Sequence, residues 1–136
     1  MNIFDTISTL FRARDNHPYD ENTAGEKGEL LACKKLKQAG YKIIEKNYRT
    51  KYGEIDVIAV TEETICFVEV KARSSYYHGN PEEYVTKRKQ KKLWRAASIF
   101  IDNNLISLEN YRFDVVSVDL KNNNCIIFTN AFEPDF

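Results

Sequence analysis

The residues best suited to do chemistry lie in one stretch, GEIDVIAVTEETICFVEVKAR, from Gly53 to Arg73. It contains two apolar segments around a polar turn, and Asp56, Glu69 and Lys71 interrupt these segments. If Glu62-Glu63 form a two-residue turn, antiparallel pairing places Asp56 opposite Glu69 and on the same face as Lys71. Carboxylate oxygens are the ligands that Mg²⁺ prefers, and a metal ion, a water and an ammonium group together can hydrolyse a phosphodiester.

A structural ion pair explains the same charges equally well on spacing alone, with Lys71 paired to Glu69 or Glu54 at a strand end. The proposed turn also has an unfavourable sequence, because two-residue hairpin turns prefer Asn-Gly or Gly. A slip of one residue in the register would turn Asp56 to the opposite face from Glu69. The hairpin alone therefore leaves both interpretations open.

A third acid, Glu29, favours the metal-site interpretation. It shares the apolar face of the preceding predicted helix with three residues typical of a core: Ala32, Cys33 and Leu36. A carboxylate on a face that packs against a sheet needs a partner, and a cation shared with Asp56 and Glu69 would supply one. We therefore predict an acidic cluster that binds a divalent metal.

The pattern of the chain indicates which elements would hold these residues. Thr23 and Glu26 have the spacing of a helix capping box, and Gly40 is typical of a helix end. Apolar, β-branched and aromatic segments predict five strands, at 41–49, 54–60, 64–72, 111–120 and 124–132. A second helix is predicted over about 86–103, with an earlier start at Asn80-Pro81 as an alternative. The order α-β-β-β-α-β-β predicts a mixed α/β fold, with a single sheet flanked by helices.

Composition sets wider bounds. A chain of 136 residues is long enough for one domain with a substantial core. We expect a weakly ordered extension or short helix over 1–23, the domain over 24–132 and a short tail over 133–136. The sequence contains no apolar run long enough to span a membrane and no signal peptide. Three widely spaced cysteines, Cys33, Cys66 and Cys125, fit core thiols in a reducing cytoplasm.

The positive charge is concentrated in the second predicted helix. The chain has 20 basic and 20 acidic residues, but residues 86–95, TKRKQKKLWR, hold six of the basic ones and no acid. Contact with nucleic-acid phosphates is favoured over a solubilising surface. The expected phosphate-contacting residues are Arg88, Lys91, Lys92 and Arg95, with Lys87 and Gln90 as candidates for reaching a phosphate at the active site.

Three further residue sets have both a functional and a structural interpretation. Trp94 could stack on a base, but an aromatic in an amphipathic helix more often packs in the core. The loop residues Tyr76, Tyr77 and His78 could approach a substrate or simply face solvent. Asp114 alternates with apolar residues, which favours a structural pairing with Arg112 over metal ligation.

The ordered set of Glu29, Asp56 and Glu69-Val70-Lys71 resembles the PD-(D/E)XK nuclease superfamily, especially its Holliday-junction-resolvase branch. Longer segments, among them GEKGELLACKKLKQAGYKIIEKNYRTKYGEIDVIA, FVEVKAR and VTKRKQKKL, resemble the bacterial YraN-like family, which is assigned to that fold. The resemblance covers about residues 24–132. It implies a restriction-endonuclease-like αβββαβ core.

The resemblance also implies roles. Asp56, Glu69 and the backbone carbonyl of Val70 would bind Mg²⁺ or Mn²⁺, and Glu29 would complete the acidic cluster. Lys71 would position the attacking water or stabilise the charged transition state. The chain departs from the superfamily pattern in one respect, because Glu54-Ile55-Asp56 stands where many members have Pro-Asp.

Three functions follow as hypotheses. The first is a metal-dependent nuclease that acts on DNA, including branched or structured DNA, for which a homodimer would be suitable. The second is a nuclease-fold protein without catalysis that binds nucleic acid in repair, recombination or uptake of DNA. The third is a protein-interaction module that binds an acidic partner.

Overall fold

The computed structural model describes residues 24–73, 85–104 and 110–134. Two helices, α1 (Ala24–Gln38) and α2 (Lys87–Asn103), accompany five strands. The strands are β1 (Lys42–Thr50), β2 (Gly53–Thr61), β3 (Thr64–Arg73), β4 (Tyr111–Asp119) and β5 (Asn124–Phe132). The elements predicted from residue 24 onward are confirmed, and every strand boundary and the start of α2 lie within one residue of the expectation.

The strands form one sheet in the order β1-β2-β3-β4-β5. β3 and β4 are parallel, whereas the other three neighbouring pairs are antiparallel. A parallel pair needs a crossover connection, and α2 lies in the chain between these two strands. The result is the mixed α/β architecture expected from the sequence, and it is consistent with a restriction-endonuclease-like core.

Each face of the sheet packs against one helix, which is why the central strands are apolar on both sides. The core on the α1 side contains small and branched side chains: Ala32, Cys33, Leu36, Val57, Ala59, Val68, Val116 and Val118. The core on the α2 side is richer in aromatic residues and includes Ile58, Phe67, Leu93, Phe100, Phe113 and Val115. Strand alternation assigns most of these residues to their faces.

The β2–β3 hairpin has the predicted register, with Thr61 opposite Thr64. Glu62 and Glu63 have φ values of 48° and 63°, the left-handed backbone that a primed two-residue turn requires. The unfavourable Glu-Glu sequence therefore does not prevent this turn. The hairpin register is imposed by burial on both faces, since a slip would expose apolar side chains.

Cys33, Cys66 and Cys125 are free thiols. The first two are buried as expected, whereas Cys125 on the outer strand β5 is only half-buried. Neither of the two described helices has the length and apolar character needed to cross a membrane. The predicted N-terminal helix, the Thr23 cap and the Asn80-Pro81 alternative lie outside the described residues, but Thr86 caps α2 by accepting a hydrogen bond from the Lys89 N–H.

Candidate active site

The candidate site lies where the sheet opens into a fork. Pairing between β2 and β3 ends at Val57 opposite Val68. Beyond that point β2 continues beside β1 as far as Gly53, and β3 continues beside β4 as far as Arg73. The fork thus separates residues 53–56 from residues 69–73, and the backbone groups along its inner edges are available to side chains or ligands.

Asp56 occupies the base of the fork. The Val70 N–H donates a hydrogen bond of 2.8 Å to Asp56 Oδ2, in place of the strand-to-strand bond that is missing there. The N–H and C=O of one residue leave a strand on the same edge. The Val70 carbonyl therefore faces the fork as well, next to the Asp56 carboxylate.

A local irregularity in β1 and β2 contributes to this position of Asp56. Ile55 packs on the α2 side together with Ile58, whereas strict alternation would turn it toward the α1 side with Val57. Asn47, beside this point on β1, has a φ of 52°. Alternation is therefore interrupted at Asp56, between Ile55 and Val57.

Glu69 is the direct partner of Asp56. The Glu69 side chain is 6% exposed, and its carboxyl group lies close enough to that of Asp56 for the two charges to interact. Burial, and then the Asp56 charge, raise the pKa of Glu69 to about 7. Burial also raises the pKa of Asp56. Glu69 Oε2 is buried and has no hydrogen-bond partner among the described residues.

Two ammonium groups approach the other oxygen of Glu69. Lys71 Nζ lies 3.7 Å and Lys89 Nζ lies 3.5 Å from Glu69 Oε1. Lys71 was predicted for this site from its position in β3, whereas Lys89, which reaches it from α2, was not. The sequence offered one indication for Lys89, its position in the basic segment. The neighbouring basic residues of that segment were assigned to a phosphate-binding surface.

Glu29 joins the site from α1. It lines an open cleft of about 490 Å³ together with Gly25, Glu26, Glu54, Asp56, Val70, Lys71 and Ala72. Asn47 Nδ2 donates to Glu29 Oε2 at 3.3 Å. Burial first, and then the Asp56 charge, raise the pKa of Glu29. Glu29 is half-buried rather than buried, so its hydrogen bond and exposure to water both reduce the cost of its charge.

The close approach of α1 depends on a glycine. A Cβ atom on Gly28 would lie 2.5 Å from the Ala72 Cβ. Because real Cβ atoms do not come so close, only glycine lets the helix pack at this distance from β3. That packing places Glu29 beside the fork.

The described parts of the chain contain no group of three or more His, Cys, Asp or Glu side chains that could hold a metal ion. Glu29 is therefore a neighbour of the Asp56–Glu69 pair and not the third member of a tight cluster. The pair itself fits a divalent cation, since Mg²⁺ is commonly bound by one or two carboxylates with waters. The buried, unpartnered Glu69 Oε2 and the raised pKa values are what two carboxyls lacking a cation should show.

The candidate phosphate-contacting residues of α2 differ in their exposure. Five predicted phosphate-contacting residues are exposed: Lys87, Arg88, Lys91, Lys92 and Arg95. Gln90 is 6% exposed, and its Nε2 donates to the Val85 carbonyl at 2.9 Å. Gln90 lies one turn before Leu93 on the buried stripe of the helix, and its suggested role of reaching a phosphate at the active site stays a prediction.

The structural interpretations of Trp94 and Asp114 are confirmed. Trp94 is half-buried, with its ring centroid 5.5 Å from that of Tyr111. Asp114 is fully buried and accepts hydrogen bonds from Arg112 Nε, the Tyr41 hydroxyl and the Asn130 N–H. Its oxygens are thus occupied by protein donors. Tyr76, Tyr77 and His78 lie outside the described residues.

Comparison with known proteins identifies the family. The model of Uncharacterised protein family UPF0102 matches residues 28–118, which include the whole fork and most of both cores. The chain belongs to UPF0102, the YraN-like family. This confirms the resemblance inferred from the sequence.

Relatives in the family match over nearly their whole length. A UPF0102 protein of Sulfurihydrogenibium sp. is 44% identical over 113 residues, covering 83% of this chain and 96% of the relative. A UPF0102 protein of Clostridium botulinum is 42% identical over 120 residues, covering 85% of this chain and 98% of the relative. A UPF0102 protein of Desulfosudis oleivorans is 43% identical over 109 residues, covering 80% of this chain and 89% of the relative.

Proposed function

We propose that this UPF0102 protein is a divalent-metal-dependent nuclease that hydrolyses phosphodiester bonds in DNA, with branched or structured DNA as its preferred substrate. The observation that carries the proposal is the Asp56–Glu69 carboxyl pair at the sheet fork, with two ammonium groups within 4 Å of Glu69. A pair of buried acids is costly to keep unless it has a use. A restriction-endonuclease-like core supports the same reaction class by analogy of fold.

The proposed ligands of the cation are carboxylate oxygens of Asp56 and Glu69 together with the Val70 carbonyl. A bound Mg²⁺ or Mn²⁺ would supply charge to stabilise the phosphorane-like transition state and would lower the pKa of an attacking water. The hydrogen bond from the Val70 N–H fixes one oxygen of Asp56, and the other oxygen would be the one to bind the cation. Glu29, on the far side of the cleft, orients waters around the site.

The two lysines have separate proposed tasks. Lys71 lines the cleft, so its ammonium group orients the attacking water or offsets charge that develops on the phosphate. Lys89 approaches Glu69 from α2 and holds that carboxyl in place. Lys89 also favours the ionised form of Glu69, and carboxylate ligands must lose their protons before a metal binds.

The exposed cations of α2 supply the affinity for the nucleic-acid backbone. Since α2 carries both Lys89 and the basic surface, it links backbone binding to the carboxyl pair. The runner-up function is nucleic-acid binding without catalysis. It is favoured by one observation, that the three acids Glu29, Asp56 and Glu69 do not form a single metal-binding group.

The test is cleavage of labelled single-stranded, duplex, flap and four-way-junction DNA, with matching RNAs, in Mn²⁺ or Mg²⁺. The decisive variant is Asp56→Asn, which retains an oxygen to accept the Val70 N–H but loses the charge. Asp102→Asn is the matched control, because Asp102 is exposed near the end of α2. We expect cleavage by wild type and Asp102→Asn, and none by Asp56→Asn or with EDTA.

Each other result has a definite meaning. Cleavage that persists undiminished in Asp56→Asn purified in parallel would contradict the assignment of catalysis to this site. No cleavage of any substrate, combined with salt-sensitive DNA binding, would favour the runner-up. Absence of both cleavage and DNA binding would leave the interaction module as the remaining hypothesis.

A further inference from the structure

Tyr52, in the turn between β1 and β2, stands out by its exposure. It is 39% exposed, and only one other large apolar side chain among the described residues, Ile126, is classed as exposed. Buried aromatics in this protein pack ring against ring, as Trp94 does with Tyr111. The Tyr52 ring instead lies at the surface, and within the part of the chain that the structure describes its recorded ring contacts are to cations.

Two cations lie near this ring from different elements. Lys51 Nζ is 5.1 Å and Arg95 Cζ is 5.4 Å from the ring centroid, both within the range of a cation–π interaction. Arg95 belongs to the exposed basic surface of α2, and Lys92 lies one turn earlier on the same helix. The basic surface thus continues onto the β1–β2 turn, where it meets an exposed aromatic ring.

The turn holds Tyr52 in a defined position. Thr50 Oγ1 accepts a hydrogen bond from the Tyr52 N–H at 3.1 Å and donates one to the Gly53 carbonyl at 3.0 Å. Gly53 has a φ of 150°, which an L side chain rarely adopts, and a Cβ built there would be 3.5 Å from the Lys92 Cβ. The turn is therefore packed on α2 and ordered before any ligand binds.

Tyr52 is also close to the carboxyl pair. Tyr52 lies four positions before Asp56 in the chain, so the two Cα atoms lie no more than roughly 14 Å apart. At the roughly 3.4 Å rise per nucleotide of a duplex strand, that distance spans about four nucleotides at most. A strand whose backbone crosses the fork would bring a nearby base to the Tyr52 ring.

We propose that Tyr52, flanked by Lys51 and Arg95, is a stacking platform for an unpaired base of DNA next to the scissile phosphate. An exposed ring with cations at its edge matches a nucleotide, because the base stacks on the ring while the phosphates pair with the cations. Lys51 is itself exposed and leaves the ring readily when a base takes its place. This inference rests on the proposed DNA function, and it specifies single-stranded or frayed DNA as the substrate class.

Binding measurements in EDTA test the platform without requiring catalysis. The probe is a fluorescent duplex with a single-stranded arm, compared with the fully paired duplex by fluorescence anisotropy. Stacking of one base predicts that Tyr52→Ala weakens binding of the armed DNA about 5- to 150-fold, whereas the paired duplex changes little. Tyr52→Phe should bind like wild type, and Tyr52→Leu, which keeps apolar bulk without a ring, should behave like Tyr52→Ala.

An abasic series identifies the base. When one base at a time is removed along the arm, the affinity of the wild type should fall at a single position. The affinity of Tyr52→Ala should not change when that same base is removed. Two results would overturn the inference in favour of a structural cation–π contact. One is an equal loss of affinity for armed and paired DNA in Tyr52→Ala, and the other is equal affinity of Tyr52→Leu and wild type for the armed DNA. Failure of the wild type to bind the armed DNA at all would overturn it too. Thermal unfolding of each variant separates these outcomes from misfolding.

Failure of the platform and failure of the nuclease function are distinguishable. If Tyr52→Ala binds and cleaves armed DNA as the wild type does, the platform is refuted and the nuclease stands. If base-specific loss of binding is seen but no substrate is cleaved in Mn²⁺, the platform stands and the nuclease is refuted.

Discussion

The carboxyl group of Glu69 lies where a negative charge is poorly solvated and faces a second acid. Its pKa in the folded protein is raised to about 7, from 4.5. The folded state therefore keeps a proton that the unfolded chain has already lost between these two values. Lys71 and Lys89 reduce this cost without removing it, since each ammonium is about 3.5 to 3.7 Å from one oxygen only.

This raised pKa predicts how stability changes with pH in EDTA. Because the folded state binds more protons, the free energy of unfolding should fall as pH rises from about 4.5 to 7, and then level off. A shift of this size corresponds to roughly 1–3 kcal/mol. Glu69→Gln removes the ionisable group, so it should be more stable than wild type at pH 8 and lose much of this pH dependence. Urea unfolding at pH 5 and pH 8 measures both effects.

The matched control is Glu63→Gln, an exposed acid in the β2–β3 turn, which should not alter the difference between the two pH values. Equal stability changes for Glu69→Gln at pH 5 and pH 8 would contradict the argument. Addition of Mn²⁺ at pH 8 extends the test. A cation that binds the pair in the folded state alone raises the melting temperature of wild type, and Glu69→Gln should lose that increase.

At the scale of single residues, sequence reasoning succeeded where a periodicity determined the answer. The turn register was enough to bring Asp56 near Glu69, although pairing between the strands ends one position before them and alternation is interrupted at Asp56. Lys89 could not be assigned in the same way, because a helical pattern gives the buried stripe but not how far a long side chain at its border reaches across a sheet. The burial of Gln90 was not predicted either, although helical phase places it on the buried stripe three residues before Leu93.

At the scale of elements, the contact between Gly28 and Ala72 controls how closely α1 approaches the fork. Gly28→Ala should destabilise the protein by roughly 1–3 kcal/mol through overpacking, a cost that exceeds the gain of about 1 kcal/mol in helix propensity. It should also lower cleavage, because Glu29 moves away with the helix. Adding Ala72→Gly removes the clashing Cβ and should restore part of the stability. Urea unfolding of the two single variants and the double variant measures this coupling.

Gly25→Ala is the control within the same helix, because a Cβ there would meet nothing within 4 Å. It should be neutral or stabilise by up to about 1 kcal/mol. If Gly28→Ala behaved like Gly25→Ala, then α1 would not be held against β3 by this contact.

The elements themselves were readable from the sequence, because strands that are buried on both faces form uninterrupted apolar segments between polar turns. What could not be read is where pairing between two strands stops. Residues 53–61 and 64–73 each continue as regular strands, and only the three-dimensional course of β1 and β4 separates their far ends into a fork. The sequence likewise did not predict that the alternation of faces is interrupted between Ile55 and Val57.

At the scale of the whole molecule, the equal numbers of acidic and basic residues conceal an uneven distribution. The basic surface lies on α2, on the opposite side of the sheet from α1. Outside residues 86–95 the chain has 14 basic and 20 acidic residues, so its remaining charge is negative. Such a molecule would bind a polyanion in one orientation, with α2 toward the backbone.

This polarity predicts a specific salt dependence for DNA binding in EDTA. Each phosphate contact contributes about 0.9 to the slope of log affinity against log salt for duplex DNA, because binding releases condensed counterions. Neutralising Lys91 and Lys92 together should therefore make the slope less negative by about 2. The matched control neutralises two exposed lysines of α1, Lys34→Gln with Lys37→Gln, which changes the net charge equally but on the other side of the sheet.

The comparison of these two double variants separates local contact from overall charge. If α2 forms the interface, the α1 variant should keep the wild-type slope, and its affinity should fall only slightly at low salt. Equal slopes for both double variants, each shifted from wild type, would mean that DNA responds to net charge alone. The orientation that brings the strand across the fork and toward Tyr52 would then lose its electrostatic basis, and catalysis at Asp56 and Glu69 would have to rely on contacts made within the cleft.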